Sequence, residues 1–296
     1  MFEYEYLQTI NLDMVQKRLP FRFSHSYKGS FGSLLAVCGC KNMVGAAIMS
    51  ISSALKCGVG LITAAIPNSI YDILASKLTE ITFEPLDETE EGTISRKSRE
   101  KISSLLENNT AVMVGCGLGW NNDIKEIVYN IIKKSKSTII LDADGINVVS
   151  ENINVLNEAR SDIIITPHLG EAARLLNLDV DEINTNKIGY AKKLAERYGI
   201  TVVLKCENTI IVSKNGEIFM NKNPNSGMSK AGCGDVLTGM ISSFAAQKLN
   251  AVDAAICGVY LHSAAGENCK NNLSKTSMLP TDIINELPNL FLKIEK

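Results

Sequence analysis

Asn225-Ser-Gly-Met-Ser-Lys-Ala-Gly-Cys-Gly-Asp-Val-Leu-Thr-Gly239 is a glycine-rich loop that leads directly into an apolar helix. Glycines let backbone N–H groups approach a phosphate closely, and the N-terminus of the helix adds partial positive charge. Asp235 stands at that N-terminus, where a carboxylate can take a proton from a substrate hydroxyl. The same pattern is also typical of an ordinary helix cap, so this stretch alone leaves both interpretations open.

The chain on either side of this loop alternates between short apolar runs and longer segments of helical period. Apolar runs of strand length predict strands at 33–38, 61–66, 110–114, 138–141, 162–166 and 201–205. The intervening periodicity predicts helices at 44–57, 68–77, 122–134, 168–176 and 182–198. Strands that are apolar throughout are typical of a parallel sheet covered by helices on both faces. We therefore expect an α/β fold with a mostly parallel central sheet in a three-layer sandwich.

The far end of this sheet is expected to be antiparallel. Segments 209–212 and 217–220 are apolar and flank Ser-Lys-Asn-Gly, in which Asn-Gly is a strong hairpin signal. Two helices, 234–247 and 251–268, are predicted after it. We find no repeat and no low-complexity linker, which predicts a single domain over 25–296. Residues 1–24 are expected to form an N-terminal arm on the surface or at a subunit contact.

Composition excludes several classes of function. The 296 residues carry a formal charge of −2, so no basic surplus favours nucleic acid as a partner. Glutamates at positions 3 and 5 argue against a signal peptide, and no apolar run is long enough for a membrane span. The eight cysteines include no C-x-x-C pair, which argues against a zinc site. We expect a cytoplasmic protein with reduced thiols.

Glycine-rich and polar segments fall where the predicted strands end, which is where open α/β sheets bind ligands. One of them is Gly115-Cys-Gly-Leu-Gly119. It departs from the dinucleotide fingerprint, because Trp120 stands at the third glycine position of G-x-G-x-x-G. A glycine cluster of this kind is equally typical of a tight turn.

Charged side chains follow the other predicted strands. His168 and Glu171 share a face if a helix begins there, so His168 could bind a ligand and Glu171 could organise Mg²⁺-bound water. Asp142 and Asp144 would point the same way in an extended chain, and Asp142 could also organise such water. Lys205 suits phosphate contacts. The competing interpretations are an ordinary helix N-terminus for His168 and Glu171, a helix cap for Asp144 and an ordinary edge lysine for Lys205.

Taken in order, these motifs resemble the ADP/ATP-dependent NAD(P)H-hydrate dehydratase family, whose fold is ribokinase-like. The resemblance runs from about residue 26 to about residue 281. Its anchors are Lys28-Gly-Ser-Phe-Gly32, Gly45-Ala-Ala47, Ala54-Leu-Lys-Cys-Gly-Val-Gly-Leu61, Gly115–Gly119, Asp142–Asn147, Thr166–Glu171, Lys205–Thr209 and Asn225–Gly239. Each anchor is weak alone, and the ordered set is specific.

The resemblance implies a role for individual residues. Asp235 would be the catalytic base. The hydrated nicotinamide nucleotide would contact Ala46, Gly117, Gly119, His168 and Asp235. ADP or ATP would be held by Lys205, Cys206, Glu207, Asn208, Thr209 and Gly234. The family usually has proline at Leu169, glycine at Cys206, and threonine or serine at Cys233, so a hydroxyl contact to phosphate at position 233 is in doubt.

The implied reaction is a nucleotide-dependent dehydration of (6S)-NADHX or NADPHX to NADH or NADPH, a lyase reaction that repairs the cofactor. Resemblance to the stand-alone bacterial form favours ADP as phosphate donor, with AMP and phosphate as products. It also implies Mg²⁺ held without direct protein ligands, a homo-oligomer such as a tetramer, and an NAD(P)HX epimerase on a separate chain.

Two other functions fit the same motifs. One is a ribokinase-like kinase for a vitamin precursor, since a glycine-rich loop followed by an aspartate suits both reactions. The other is a catalytically silent nucleotide-binding module, against which Asp235 speaks. The His168-x-x-Glu171 pair and the Gly115–Gly119 loop favour the dehydratase.

Overall fold

One sheet runs through the part of the chain that the structure, a computed structural model, describes: residues 7–295. Its strands are β1 (Leu7–Thr9), β2 (Ser33–Val37), β3 (Leu61–Pro67), β4 (Thr82–Leu86), β5 (Ala111–Val114), β6 (Thr138–Leu141), β7 (Ile163–Ile165), β8 (Thr201–Leu204), β9 (Ile210–Val212) and β10 (Ile218–Met220). They lie in the order β1-β10-β9-β8-β7-β6-β5-β2-β3-β4. Strands β2 to β8 are mutually parallel, and β8, β9 and β10 pair antiparallel. The predicted mostly parallel sheet with an antiparallel end is confirmed.

Helices connect the strands. They are α1 (Leu12–Gln16), α2 (Val44–Lys56), α3 (Tyr71–Ala75), α4 (Arg99–Leu106), α5 (Asn122–Lys134), α6 (Asp144–Ser150), α7 (Leu169–Leu176), α8 (Val180–Thr185), α9 (Lys187–Tyr198), α10 (Cys233–Ala246), α11 (Ala251–Leu273) and α12 (Pro280–Ile294). Short 3-10 turns lie at Lys28–Phe31, Asn68–Ile70, Arg96–Ser98, Ile153–Glu158 and Ser226–Met228.

Both faces of the sheet are covered, as the apolar strands predict. Along β2, Leu34 and Ala36 pack into one hydrophobic layer with α2, α10, α11 and α12. Leu35 and Val37 pack into the other layer, with α4, α5, α7 and α9. Successive strand residues point to opposite faces, so a strand buried on both sides must be apolar at every position.

Several elements differ from the sequence predictions. The predicted helix 182–198 is two helices, because Asn186 has a non-helical backbone (φ −148°) and its side chain accepts a hydrogen bond from the Gly189 N–H at the start of α9. Helices α6 and α12 and strands β1 and β4 were not predicted. Only one residue of these two strands, Leu86, is buried, so they lack the apolar runs that indicated the others.

The first described residues contact both the edge of the sheet and helix α11. Leu7–Thr9 pairs in parallel with β10 at the edge of the sheet, and Arg18 forms an ion pair with Asp253 on α11. Residues 1–6 of the predicted N-terminal arm lie outside the described residues. No helix within 7–295 combines the length and the apolar character that a membrane span requires.

Candidate functional site

The carboxyl ends of β2, β5, β6, β7 and β8 lie at one crevice. The first turn of α10 lies over this crevice. The order of strands along the sheet reverses between β2 and β5, and ligands bind at such a switch point in open α/β sheets. The Gly39 N–H donates to the Cys116 carbonyl across this point at 2.9 Å. The fold therefore brings the predicted segments to one place.

One half of the crevice is built by backbone and small residues. A Cβ added to Gly117 would lie 2.8 Å from the Ala46 Cβ and 2.8 Å from the Met43 carbonyl oxygen. Gly117 also has φ +61°, in the left-handed region that favours glycine. The Gly119 N–H donates to the Asp144 carboxylate at 2.8 Å, which fixes the loop after β5. Three residues predicted to contact the substrate, Ala46, Gly117 and Gly119, thus belong to one surface.

Asp144 differs from what an extended chain predicts. Ala143 has φ +47°, and α6 begins at Asp144, so Asp142 and Asp144 do not follow one another in extended backbone. Ala143 holds the cap position, and Asp144 is the first helical residue. Its two oxygens accept hydrogen bonds from the Gly119 N–H and the Asn147 side chain.

Asp142 lies buried at the floor of the crevice, where it joins four elements. Its Oδ1 accepts hydrogen bonds from the Thr166 hydroxyl at 2.7 Å and from the Lys205 ammonium at 2.6 Å. Its Oδ2 accepts one from the Thr238 hydroxyl of α10 at 2.7 Å. The ends of β6, β7 and β8 and the first turns of α10 are therefore held together by one carboxylate.

Lys205 is held directly beneath the start of α10. Its Nζ would lie 3.3 Å from a Cβ added to Gly234. Burial alone would lower the pKa of Lys205, but the carboxylates of Asp142 and Glu171 outweigh it and the pKa is raised. A permanent cation and a helix N-terminus thus face the same space, which is suited to phosphate.

A cavity of about 440 Å³ opens beside this cation. Five of the six predicted nucleotide residues line it: Lys205, Cys206, Glu207, Thr209 and Gly234. The rest of its wall comes from the loop before α10 and from α10 and α11, through Asn221, Asn223, Pro224, Asn225, Ser226, Met228, Ser229, Cys233, Leu237, Val259, His262 and Ser263. Asn208, the sixth predicted residue, instead lines a smaller neighbouring cavity of about 270 Å³ together with Lys187 and Ile188.

His168 caps α7 with its side chain. Its Nδ1 accepts hydrogen bonds from the N–H groups of Gly170 and Glu171, and the Glu171 carboxylate accepts one from the His168 N–H in return. Burial and then the charge of Lys205 lower the pKa of His168, so the ring is neutral at pH 7. Since Nδ1 accepts, Nε2 carries the proton. The capping interpretation is therefore shown, and Nε2 stays free to donate to a ligand.

Glu171 is buried behind His168. Its Oε1 lies 3.6 Å from the His168 Nε2, and its Oε2 lies 3.9 Å from the Lys205 Nζ. Burial raises the pKa of Glu171 to about 7, against the opposing effect of Lys205. This carboxyl is thus part of the charge network under the crevice.

Asp235 lies in the first turn of α10, between the two halves of the crevice. Burial, followed by the negative charge of Asp142, raises the pKa of Asp235 to about 6. At pH 7 the group is mostly ionised, yet its pKa is close enough to neutrality for reversible proton transfer. This is the range that a general base needs.

The carboxylates here do not fit direct coordination of Mg²⁺. Ligand atoms of Cys116, Asp142 and Asp235 lie within 4.8 Å of one another. Mg²⁺ prefers oxygen ligands, whereas one of these three groups is a thiol whose pKa burial raises well above its usual value. The oxygens of Asp142 already hold Lys205 and two threonine hydroxyls. The sequence prediction of no direct metal ligand agrees with this geometry and stays a prediction.

The sequence model of the NAD(P)H-hydrate dehydratase family matches residues 34–289. The chain belongs to this family. An ADP-dependent (S)-NAD(P)H-hydrate dehydratase from Neisseria meningitidis is 33% identical over 269 residues, which are 88% of this chain and 86% of that protein. The recognition of the family from its ordered motifs is confirmed.

A solved structure of the same family supports the fold. The ADP/ATP-dependent NAD(P)H-hydrate dehydratase from Bacillus subtilis, co-crystallised with ATP and Mg²⁺, has 25% identity and a TM-score of 0.82. The match covers 96% of this chain and 98% of that one. The predicted ribokinase-like fold is confirmed.

The chain spans about half the length of the curated relatives that match it over the most residues. A bifunctional NAD(P)H-hydrate repair enzyme from Moorella thermoacetica is 34% identical over 281 residues, which are 95% of this chain and 53% of that enzyme. The family membership rests on the match over residues 34–289.

Sequence reasoning missed two sets of residues in this site. Thr166 and Thr238 lie within the quoted motifs, but nothing in their spacing shows that both hydroxyls converge on Asp142. His262 lies in the middle of an apolar helix, is 8% exposed, and lines the cavity beside Lys205. The only sequence signal for His262 is that histidine is rare in this chain, which has three.

Proposed function

We propose that this chain uses ADP or ATP to dehydrate hydrated NADH or NADPH. The single observation that carries the proposal is the position of Asp235, at the start of α10 between a glycine-built surface and the cavity beside Lys205. A base, a phosphate-binding helix end and two adjoining binding surfaces are what transfer of a phosphoryl group to a substrate hydroxyl requires.

Asp235 would accept the proton from the C6 hydroxyl of the hydrated ring. The hydroxyl oxygen then attacks the terminal phosphorus, and the bond to the next phosphate breaks, which releases AMP when ADP is the donor. Backbone N–H groups at the start of α10 stabilise the developing negative charge, and Lys205 adds a cation beneath them. The ring nitrogen then expels phosphate from C6, and loss of the C5 proton restores the double bond.

The binding roles follow the two halves of the crevice. Ala46, Gly117 and Gly119 would accept the flat ring, and the His168 Nε2–H would donate to it. Lys205, Cys206, Glu207, Asn208, Thr209 and Gly234 would hold the adenine nucleotide, with Asn208 at the margin of the cavity.

Mg²⁺ is proposed to arrive with the phosphates and to be held through its water ligands, with Glu171 as the group that orders that water. When bound, it neutralises phosphate charge. Asp142 is the weaker candidate for this task, because its oxygens hold Lys205, Thr166 and Thr238.

We also propose that the protein is a homo-oligomer, plausibly of four chains, in the cytoplasm. Phe21, Phe23 and Tyr27 follow the first helix and are 64%, 57% and 72% exposed, which suits burial against another copy. The relatives named bifunctional repair enzymes suggest cooperation with an NAD(P)HX epimerase.

The vitamin-precursor kinase is the second candidate, since the fold supports both reactions. Family membership favours the dehydratase, as does the glycine surface opposite Asp235. A silent nucleotide-binding module is disfavoured by an aspartate whose pKa is raised to about 6 beside a phosphate-binding helix end.

The experiment is to incubate the purified chain with hydrated NADH, ADP or ATP, and Mg²⁺, and to follow the reduced-nicotinamide absorbance. We expect NADH to reappear with one phosphate released per turnover. Accumulation of a stable phosphorylated alcohol would establish the kinase, and bound nucleotide without turnover would establish the silent module.

A further inference from the structure

The nucleotide cavity contains a buried polar atom that no residue of the described chain satisfies. His262 projects from the middle of α11 and is 8% exposed, and its ring lines the cavity together with Gly234, Leu237 and Val259. Its Nε2 is buried and has no hydrogen-bond partner among residues 7–295. Because an unsatisfied buried polar group costs free energy, such an atom in the wall of a ligand cavity indicates a partner supplied by the ligand.

The protonation state of the ring limits what that partner can be. Burial lowers the pKa of His262 to about 4 and outweighs the backbone of Cys233, which raises it, so the ring is neutral at pH 7. A neutral imidazole has one N–H and one lone pair, and no partner among residues 7–295 fixes which of the two Nε2 carries. The partner must therefore suit Nε2 either as donor or as acceptor.

The position of the ring narrows the choice of partner. Phosphate oxygens mainly accept hydrogen bonds and the amino group of adenine donates them, whereas a ribose hydroxyl can do either. Cys233 opens α10, next to Gly234 and the Lys205 cation, so His262 lies beside the phosphate end of the cavity. The ribose hydroxyls are the groups nearest to that end that suit Nε2 in both of its forms.

We propose that His262 is a nucleotide-binding residue of this chain whose Nε2 forms a hydrogen bond with a ribose hydroxyl of the bound adenine nucleotide. This inference rests on the proposed function only in taking the cavity of Lys205 and Gly234 as the nucleotide site. It adds α11 to the elements that recognise the nucleotide and makes ribose, as well as phosphate, a determinant of binding.

The test uses His262→Phe, which keeps a ring and removes both nitrogens, and His262→Gln, which keeps a group that can donate or accept. Affinities for ADP, 2′-deoxy-ADP, 3′-deoxy-ADP and inosine diphosphate are measured by calorimetry on each protein. We expect His262→Phe to weaken ADP binding about two- to tenfold, the range of one net hydrogen bond. Its effect should vanish for the one deoxynucleotide that lacks the partner hydroxyl, and His262→Gln should retain part of the affinity.

Tyr129→Phe is the matched control. The Tyr129 hydroxyl is also buried and has no hydrogen-bond partner among the described residues, but it lies on α5, among residues that pack on the opposite face of the sheet. Tyr129→Phe should leave the unliganded protein at least as resistant to heat as the parent chain, because it removes only an unsatisfied polar atom. Only His262→Phe should reduce the thermal shift that ADP produces.

Three results would overturn the inference. Unchanged ADP affinity in His262→Phe would show that the ring is merely structural. An effect that persists with both deoxynucleotides and vanishes with inosine diphosphate would move the contact to the adenine amino group. A destabilised unliganded His262→Phe with normal affinity would give the histidine a packing role. Absence of ADP binding by the parent chain would instead contradict the proposed function.

Discussion

The two halves of the crevice are built by opposite means. The half at Ala46, Gly117 and Gly119 is shaped by backbone, and a single added methyl group at Gly117 would collide with two neighbours. The half at Lys205 and His262 is shaped by polar and charged side chains around a cavity of about 440 Å³. A flat ring needs close backbone approach, whereas a flexible nucleotide needs directed hydrogen bonds.

This difference predicts which substitutions would damage each half. Binding at the glycine surface should weaken when side-chain atoms are added, and binding in the polar cavity should weaken when side-chain atoms are removed. Asp235 belongs to both, because the helix that carries it begins between them. The substitutions below separate the halves, from the largest expected effect to the smallest.

Asp235→Asn should abolish most turnover while ADP still binds. Loss of a general base typically costs roughly 10²- to 10⁴-fold in rate. Turnover and ADP affinity are measured on one sample, and thermal unfolding confirms the fold. The variant should also unfold at a higher temperature than the parent at pH 7, because burial raises the pKa of Asp235 to about 6 and makes its ionised form unfavourable in the folded state. Near-normal turnover would falsify the assignment of Asp235 as base.

Gly117→Ala should damage the hydrate half alone. The new Cβ would lie 2.8 Å from the Ala46 Cβ at φ +61°, so we expect a stability loss of about 2–4 kcal/mol and a raised KM for the hydrate. Gly199→Ala is the matched control, since it has φ +63° with nothing within 4 Å. It should cost about 1 kcal/mol and leave KM unchanged. Equal effects of the two variants would contradict a steric role for Gly117.

The pH dependence should follow Asp235. Its pKa is raised to about 6 and the base must be ionised, so kcat/KM should rise about tenfold per pH unit below pH 6 and level off above it. Glu171 titrates nearby, at a pKa of about 7. The profile of Glu171→Gln distinguishes the two groups: a limb that stays near pH 6 belongs to Asp235, and a limb that disappears belongs to Glu171.

His168→Ala should have the smallest effect, a rise in hydrate KM of about two- to tenfold with a stability loss of about 1 kcal/mol, because both a donor and a helix cap are lost. His168→Asn keeps the cap. It should regain the stability but not the affinity, as measured by unfolding and by steady-state kinetics. Recovery of both would leave His168 as a cap only.

Sequence reasoning located the fold because its signals are local. Apolar runs such as Ala111–Val114 are buried on both faces of the sheet, and their short length distinguishes them from buried helices. The edge strand Leu7–Thr9 lacked this signal, since its stability comes from pairing with a segment more than 200 residues away in sequence. Helix α12 lies beyond the last predicted element, the helix at 251–268.

The sequence predicts which strand ends carry the site residues, but not how those residues are hydrogen-bonded to one another. Asp235 and Gly234 are recognisable in a glycine-rich loop that leads into a helix, and Lys205 at the end of an apolar strand. The convergence of Thr166 and Thr238 on Asp142 depends on how the sheet and α10 pack, which no local spacing encodes. The same holds for His262, whose importance depends on the cavity beside it.

The carboxylate of Asp142 also bears on how the protein folds. Its partners Thr166, Lys205 and Thr238 are 24, 63 and 96 residues further along the chain. Contacts over such separations require three distant segments of the chain to be packed together, and each contact carries a loop-closure entropy that grows slowly with loop length. A partly unfolded chain is therefore expected to lack this floor of the crevice, and with it the proposed phosphate site.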